Sequence, residues 1–469
     1  MKTIPLTHCK VEATVHSATL PLKDLAEVAP LFYQNPLGIT GIGDPFILPA
    51  DGKYYMYSTN GNTCFEAFST DTLSKWQQED KFTALEHAPW GSSKHWAPEV
   101  YTYGGRYVIL YSCVKAGPKE AYHHVLGIGF ADTPEGPFIP SENPLLDLGF
   151  SIIDASLFVD DDGTPYLYYA RDCSQNLVDG VYRSYIYGAR LSTNLLTLLE
   201  EPTLLLAPSQ SWEYTSMNQN KLWNEGPNVR KHNDKYYLFY SANCFSSKNY
   251  GVGVAVSSTP LGPFEKDARN PILTYAEDKV GDVLVSGPGH NSFFTIGAEV
   301  FSSYHVHTIR TAPSGNRQLA YDRSGYHADG TAYIAGPTTA SWQLLPLRDI
   351  GMRNAIQDAI GPELLKDGDP CVSPASQAYV WHGQQADFTW KTPCMAELIQ
   401  LYPAEGCILK GTITLNDEYI LPFDFADLEN VPGASVILPL RNPLELHSLR
   451  ITLDDNGTIG EVIVLESVN

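Results

Sequence analysis

Acidic side chains recur near one position of a repeated β-hairpin pattern. Asp44, Glu99, Asp154 and Glu225 each stand at the opening of an apolar strand, and His290 holds the corresponding place in a fifth copy. Carboxylates that share one site perturb each other's pKa values, so one can stay ionised as a general base while another stays protonated as a general acid. The pattern therefore predicts acid/base chemistry, provided that the fold gathers these residues.

The five hairpins share an opening polar residue, a turn, and a Tyr-rich second strand. Their sequences are DPFILPADGKYYMYST, PEVYTYGGRYVILYS, DASLFVDDDGTPYLYYA, EGPNVRKHNDKYYLFYS and GHNSFFTIGAEVFSSYHVHT. The four acids are 55, 55 and 71 residues apart, and the passages LGIGFADTPEGPF and VGVAVSSTPLGPF indicate duplication within the chain. About four short strands per repeat predict an all-β, five-bladed β-propeller, in which the first strand of each blade lies at the axis.

The hairpin pattern ends near Trp342. Short alternating strands separated by turns follow it, which is typical of a β-sandwich. We therefore predict an N-terminal approach segment over 1–34 that lies against the propeller, the propeller over 35–342, a connector over 343–363, and a smaller C-terminal β-sandwich over 364–469.

The composition limits the partners and the compartment. With 53 Asp and Glu against 31 Lys and Arg, the formal net charge is −22, which disfavours binding to nucleic acid or anionic lipid. No stretch reaches the roughly 18 consecutive apolar residues of a membrane-spanning helix. The first residues lack the apolar run of a signal peptide, and the eight cysteines are scattered without a CxxC pair. We expect a cytoplasmic protein with reduced thiols.

Aromatic side chains close to the acids could bind a sugar ring by stacking. Four of them lie within three or four residues of an acid: Phe46, Trp96, Phe158 and Trp223. The alternative for Asp44 and Asp154 is a turn role, in which the carboxylate accepts hydrogen bonds from backbone N–H groups. The recurrence of acids in successive hairpins favours the chemical role.

Several motifs in this order resemble glycoside hydrolase family 43. They are Asp44-Pro45-Phe46, Trp96-Ala97-Pro98-Glu99, Asp154-Ala155-Ser156, Glu225-Gly226-Pro227 and Gly287-Pro288-Gly289-His290-Asn291-Ser292. The resemblance continues through RQLAYD and ADGTAYIAGPT, which are similar to the closing blade of the family. It implies a five-bladed propeller that hydrolyses arabinose- and xylose-containing glycans with inversion of the anomeric configuration.

The resemblance also implies roles for the three acids. Asp44 matches the general base, Glu225 the general acid, and Asp154 the residue that tunes the pKa of the acid and orients it. The local sequence agrees, because Trp223 and the Gly-Pro turn would partly desolvate Glu225 and raise its pKa. Inversion requires the two carboxyl groups to stand about 6.5–9.5 Å apart, with a water molecule between the base and the sugar.

Substrate-binding roles follow from the same resemblance. Arg317 matches an Arg that reaches the sugar at the cleavage point in exo-acting members, and the segment holding Trp96 and Glu99 shapes the pocket. His290 matches a His that helps to hold a calcium ion or water molecules in the channel. We therefore predict no required cofactor, with a structural calcium ion near His290 as the metal hypothesis.

Two other histidine pairs have simpler explanations than metal binding. His305 and His307 alternate on a strand but have no third ligand close in the sequence, so we predict that they belong to the fifth blade. His123 and His124 are predicted to lie in a loop.

The first hypothesis for the substrate is an arabinose- or xylose-containing oligosaccharide, cleaved by an exo-acting α-L-arabinofuranosidase or β-xylosidase. Insertions at 115–124 and 209–220 could close one end of the funnel and favour exo action. An endo-1,5-α-L-arabinanase is the alternative within the class, because GPGHNS is familiar from those enzymes. A non-catalytic carbohydrate-binding propeller is the alternative from another class. The patterns of retaining fructan hydrolases are missing.

Overall fold

The computed structural model describes 17 segments of the chain. These segments are 14–15, 20–22, 31–60, 65–73, 75–79, 88–119, 122–214, 220–278, 280–296, 299–311, 315–339, 341–344, 352–369, 379–404, 407, 409–424 and 436–467. They consist mainly of strands and turns, which confirms the predicted all-β class. The short 3-10 helices are Cys173–Gln175, Ser211–Tyr214, Ala355–Asp358 and Glu363–Leu365. Among these segments, no helix is long and apolar enough to cross a membrane.

Five four-stranded sheets follow one another along the chain, and we call them sheets I to V. In each of these sheets, the strands lie side by side in the same order as they follow along the chain. The strands of sheet I are Gly43–Ala50, Lys53–Thr59, Phe65–Thr70 and Gln77–Gln78. Those of sheet II are Gly91–Tyr103, Arg106–Lys115, His124–Ala131 and Ile139–Pro140. His124 thus begins a strand and does not lie in a loop as predicted, because it pairs with Val114.

Sheets III to V repeat the same order. Those of sheet III are Ile152–Val159, Pro165–Arg171, Tyr185–Arg190 and Thr203–Leu206. Those of sheet IV are Asn224–His232, Lys235–Ala242, Gly251–Ser257 and Glu265–Lys266. Those of sheet V are Gly289–Ile296, Glu299–His307, Arg317–Tyr326 and Ala332–Ile334.

Three smaller sheets lie in the connecting segments. One joins Leu177–Val178, Val181–Arg183 and Lys221–Leu222, so a loop of sheet III pairs with the residues that lead into sheet IV. The other two join Ala276–Glu277 to Val283–Val285 and Leu31–Gln34 to Ser341–Leu344.

The chain divides into two compact units. The described residues of 36–294 and 302–321 form one unit, and those of 1–35, 295–301 and 322–469 form the other. In the first unit, apolar side chains fill the spaces between consecutive sheets. Tyr57 and Tyr111 belong to the cluster between sheets I and II, and Tyr168 and Leu238 to the cluster between sheets III and IV. The large aromatic residues of the second strands therefore form the core.

The second unit contains a six-stranded sheet. Its strands are Thr14–Val15, Tyr419–Asp424, Lys410–Leu415, Val436–Ser467, Met352–Asn354 and Trp381–Pro403. A core that includes Phe388, Leu401 and Val464 packs against it. The described part of the predicted approach segment belongs here, because Thr14–Val15 pairs with Ile420 and Tyr419. Leu31–Gln34, another described part of that segment, pairs with Ser341–Leu344 at the end of the predicted propeller, and the expectation that the segment lies against the propeller stays a prediction.

A β-bulge interrupts the first strand of each of sheets I to IV. In sheet I the register passes from Gly43 opposite Thr59 to Phe46 opposite Tyr57, so the first strand holds one extra residue. Equivalent shifts follow Trp96, Ile153 and Glu225. The residue that enters each bulge has a left-handed backbone, with φ of 51° at Asp44, 46° at Ala97, 61° at Asp154 and 56° at Gly226; His290 in sheet V has φ 52°.

The bulges correct the predicted equivalence of the acids. The structurally equivalent residues are Asp44, Ala97, Asp154, Gly226 and His290. Glu225 therefore lies one residue before its bulge and Glu99 two residues after. The sequence comparison aligned the acids themselves, whereas the backbone conformation marks the repeated position.

Candidate active site

The three predicted catalytic acids all begin first strands, on sheets I, III and IV. Asp154 and Glu225 are 7% and 8% exposed, and the side chain of Asp44 is 12% exposed. The Gly226 N–H donates to Asp154 Oδ2 at 2.9 Å, which joins the bulge next to Glu225 to sheet III. The structure thus brings Asp154 and Glu225 to one place, and both carboxyl groups are removed from bulk water.

Asp44 lies among cationic and polar partners. Arg317 Nη1 is 2.9 Å from Asp44 Oδ1, and His290 Nδ1 and His305 Nδ1 are 3.4 and 3.5 Å from the same oxygen. The other carboxylate oxygen accepts a 2.7 Å hydrogen bond from Thr59 Oγ1. Burial acts to raise the pKa of Asp44, but His290 and Arg317 hold that pKa well below its usual value. This carboxylate is therefore ionised at neutral pH.

His305 connects the surroundings of Asp44 with those of Glu225. Its Nδ1 accepts the Asp44 backbone N–H at 3.2 Å, so the proton of the neutral ring is on Nε2. Burial lowers the pKa of His305 to about 3, and the ring stacks on Tyr250 with a centroid separation of 5.4 Å. The Tyr250 hydroxyl in turn donates to Glu225 Oε1 at 2.9 Å.

Glu225 has the opposite electrostatic surroundings from Asp44. Burial raises its pKa well above the usual value, and the negative charge of Asp154 acts in the same direction. The Tyr250 hydrogen bond lowers the pKa but does not reverse the shift. Glu225 therefore keeps its proton at a pH where Asp44 is ionised, which is the division that acid/base catalysis requires.

Asp154 lies between these two extremes. Burial raises its pKa to about 6, His290 opposes that rise, and the charge of Asp44 adds to it. Because Asp154 is coupled electrostatically to Glu225, the ionisation of one discourages the ionisation of the other. Asp154 can thus influence the protonation of Glu225 while its hydrogen bond to Gly226 holds the adjacent backbone.

His290 lies next to both the Asp44 carboxylate and the Gly226 backbone. The backbone N–H of His290 donates to Ser241 Oγ at 2.7 Å. A Cβ added at Gly226 would lie 3.3 Å from His290 Nδ1, so glycine gives the imidazole room at this left-handed position. The predicted proximity of His290 to the acids is therefore present in the structure.

The protein groups near His290 do not fit a calcium ion. Calcium takes six to eight oxygen ligands, whereas the carboxylate facing His290 is already paired with Arg317. Across the part of the chain that the structure describes, no three His, Cys, Asp or Glu side chains are grouped so that they could hold a metal ion.

Glu99 is placed differently from the other acids. It is 9% exposed, and its carboxylate accepts a hydrogen bond from Tyr101, whose hydroxyl also accepts the Leu157 N–H at 3.0 Å. Burial raises the pKa of Glu99 to about 7, although Tyr101 and Ser156 act to lower it. Glu99 thus links sheets II and III beside Asp154.

The predicted aromatic platforms fall into two groups. Phe46 is 6% exposed and packs on Tyr101 in the core, so it offers no free face to a sugar. Phe158 is only partly buried and packs at right angles to Tyr236, in the cluster between sheets III and IV. The expectation for Phe46 is therefore corrected, because this residue lies past the bulge, where the strand is already enclosed by its neighbouring sheet, whereas that for Phe158 stays a prediction. Trp96 and Trp223 are only partly buried and remain candidates. Trp96 stacks on His124 at 4.2 Å.

Sequence reasoning missed the partners of the acids. His305 and Tyr250 come from the second strand of sheet V and the end of the loop before the third strand of sheet IV. Their only sequence signals were a His in an otherwise apolar alternation and one more Tyr among many. Thr59 could have been found, because it ends the strand opposite Gly43 at the bulge.

Similarity to known proteins identifies the family of the chain. The family model for glycosyl hydrolases family 43 matches residues 33–332. The crystal structure of a thermostable family-43 glycoside hydrolase is 41% identical with a TM-score of 0.61, covering 67% of this chain and 98% of that one. The β-D-galactofuranosidase xynD of Aspergillus niger is 26% identical, over 63% of this chain and 83% of its own. Xylosidase/arabinosidase 43A of Humicola insolens is 28% identical, over 49% and 80%. The chain therefore belongs to glycoside hydrolase family 43 and is an inverting glycoside hydrolase.

Proposed function

We propose that Asp44 is the general base, Glu225 the general acid, and Asp154 the group that tunes and orients the acid. The observation that carries this assignment is the opposite shift of two buried carboxyl groups. Asp44 is surrounded by Arg317 and two histidines, and its pKa is lowered. Glu225 has a raised pKa and a phenolic partner, with the carboxyl group of Asp154 nearby.

In the proposed reaction, Asp44 takes a proton from a water molecule as it attacks the anomeric carbon. Glu225 gives its proton to the glycosidic oxygen as the bond to the leaving group breaks. The water attacks from the face opposite the leaving group, so the released sugar has the inverted configuration. Arg317 and His290 keep the base ionised before the attack. Trp96, Trp223 and Glu99 are proposed to line the sugar site.

We propose that sheets I to V are the five blades of a propeller over 35–342 and that residues 364–469 form a β-sandwich. Hydrogen bonds from bulge N–H groups to adjacent sheets support the first proposal. They run from Ala97 to Thr59 of sheet I at 2.8 Å, from Gly226 to Asp154 of sheet III, from His290 to Ser241 of sheet IV, and from Asp44 to His305 of sheet V. The bond from sheet I to sheet V is the one that a closed ring requires.

The proposed substrate is an oligosaccharide with a terminal α-L-arabinofuranosyl or β-D-xylosyl unit, cleaved by exo action. The names of the Humicola and Aspergillus relatives support pentosides and furanosides. The small sheet formed by Val181–Arg183 and Lys221–Leu222 stands beside the segment that leads to Glu225, which supports a pocket closed on that side. Part of the 209–220 insertion, residues 215–219, lies outside the described residues, as do 120–121 of the other insertion.

The test is a proton NMR time course with three 4-nitrophenyl glycosides: the α-L-arabinofuranoside, the β-D-xylopyranoside and the β-D-galactofuranoside. Release of one sugar that appears first as the opposite anomer supports the proposal and identifies the glycone. Retention of configuration would refute the assignment of Asp44 as base. Inactivity on all three glycosides, with cleavage of 1,5-linked arabino-oligosaccharides at internal bonds, would favour the endo-arabinanase alternative. Binding without any cleavage would favour a carbohydrate-binding propeller.

A further inference from the structure

The Arg317 guanidinium group lies close to both an aromatic ring and a glycine. Its central carbon is 5.0 Å from the centroid of the Phe245 ring. A Cβ added at Gly43 would overlap the guanidinium group itself. Gly43 directly precedes Asp44, so the missing side chain leaves the space in which Arg317 reaches the Asp44 carboxylate at 2.9 Å.

Hydrogen bonds alone do not fix the orientation of Arg317. Its Nε is buried and has no hydrogen-bond partner among the described residues. An aromatic face and a flat glycine surface can hold a planar guanidinium group without such a bond, and the interaction with the ring electrons is stronger where water is excluded. Phe245 and Gly43 therefore both limit where the guanidinium group can lie while Nη1 contacts Asp44.

The position of Phe245 is itself fixed by a buried histidine. His307 Nε2 donates to the Phe245 carbonyl oxygen at 2.8 Å, and His307 Nδ1 is 2.9 Å from Ser286 Oγ. The Phe245 ring is nevertheless 41% exposed, although most large apolar side chains on a rigid segment would be buried. The same loop ends at Tyr250, the partner of Glu225.

We propose that Phe245 and Gly43 are positioning residues that hold Arg317 against Asp44 and so set the lower pH limit of activity. The inference rests on the proposed role of Asp44 as base. Three ionisable groups contact one oxygen of the Asp44 carboxylate, each from a different strand of sheet V: His290 from the first, His305 from the second and Arg317 from the third. Thr59 of sheet I donates to the other oxygen, and Asp154 of sheet III interacts with Asp44 through its charge. Of these, Arg317 is the one whose placement depends on Phe245.

The kinetic test compares F245A with the unaltered full-length enzyme. If Arg317 loses its aromatic contact and moves from Asp44, the pKa of the base rises. The acid limb of the kcat/KM profile should then shift upward by about half a unit to one unit, while the alkaline limb set by Glu225 stays in place. G43A should shift the acid limb in the same direction as F245A. F245W keeps an aromatic ring at this position, so its acid limb should match that of the unaltered enzyme.

The control variant is I309A. Ile309 is exposed and follows the second strand of sheet V, Glu299–His307. Its truncation therefore removes apolar surface without touching Phe245, Gly43 or Arg317. In the R317M background, F245A should produce no further shift of the acid limb. A rise in KM for F245A, with both the acid limb and the Asp44 carboxyl titration unmoved, would overturn the proposal and make Phe245 a substrate contact only.

A measurement without substrate separates this proposal from the proposed function. Carbon NMR of protein labelled at the aspartate carboxyl carbon, with Asp44 assigned from D44N, gives the Asp44 titration directly. An upward shift of the Asp44 titration in F245A supports the proposed positioning of Arg317. No shift refutes that positioning, whatever the kinetics show. A shift of the Asp44 titration without a matching shift of the acid limb of kcat/KM would support the positioning of Arg317 and refute Asp44 as the catalytic base. If F245A fails to fold, F245L supplies the same comparison with most of the apolar volume kept.

Discussion

The surroundings of Asp44 and Glu225 show how one fold gives two buried carboxyl groups opposite properties. Both lie at the start of a first strand and both are removed from water. Around Asp44, sheet V supplies Arg317 and two histidines. Around Glu225, the polar partner is the hydroxyl of Tyr250, and the nearest acid raises the pKa further. Burial alone would raise both pKa values, so the difference comes from the charges on neighbouring strands.

The largest expected effect is the loss of either carboxyl group. D44A and E225A should each lower kcat by about 10²–10⁴ or more, because each removes one proton transfer from the transition state. The two variants should differ in substrate dependence: a good aryl leaving group needs little protonation, so it should partly restore E225A and not D44A. Steady-state kinetics with 4-nitrophenyl and alkyl glycosides measures this difference. Equal losses of E225A on both substrates would contradict the assignment of Glu225 as the acid.

The second prediction concerns stability and has opposite signs at the two carboxyl groups. The depressed pKa of Asp44 means that its ion pairs stabilise the fold above the unfolded-state pKa near 4, and this stability is lost as the pH falls through the folded-state pKa. D44N should therefore lower the Tm at pH 7. The raised pKa values of Asp154 and Glu225 mean that their contribution is present at low pH and is lost as the pH rises, for Asp154 between about 4 and about 6.

D154N and E225Q should consequently raise the Tm at pH 8, by a free energy on the order of 1 kcal/mol each, and should have little effect at pH 4. Differential scanning calorimetry at the two pH values measures both signs in one series. A lower Tm for E225Q at pH 8 would show that the ionised Glu225 carboxylate does not destabilise the fold. The contrast with Asp44 would then be wrong.

The smallest expected effect comes from the Tyr250 hydroxyl. Its hydrogen bond favours the ionised form of Glu225, so Y250F should raise the pKa of the acid further. The alkaline limb of the kcat/KM profile should move to higher pH, with kcat lowered about tenfold or less. Y240F is the matched control, because the Tyr240 hydroxyl donates at 2.8 Å to another buried carboxylate of the same region, Glu213. A shift of similar size in Y240F would argue against a specific role for Tyr250.

The sequence predicted the all-β class and the family, and the structure gathers the acids that it predicted. Those predictions succeeded because hairpin repeats and turn motifs are local patterns, which period-2 alternation and glycine-containing turns make visible. The order of motifs also identified Asp44, Asp154 and Glu225 without any knowledge of their surroundings. Their roles stay predictions that the variants above test.

What the sequence could not give was the register and the partners. A bulge shifts the strand by one residue, so Glu99 and Glu225 looked equivalent in the sequence although they lie on opposite sides of their bulges. Phe46 lies next to an acid in sequence but faces the core. His305 and Arg317 contact Asp44 from more than 250 residues away, and no local pattern encodes such a contact.

The repeated bulge also has a practical consequence for trapping a bound glycan. The backbone conformation that Asp44 and Asp154 adopt is adopted equally by Ala97 and Gly226, and the N–H groups of Asp44, Ala97 and Gly226 each bond to an adjacent sheet. The chain itself thus demonstrates that alanine and glycine can occupy the slot. Alanine at position 44 would imitate Ala97, which holds the equivalent bulge position in sheet II. The D44A variant is therefore suited to holding uncleaved oligosaccharides for crystallography.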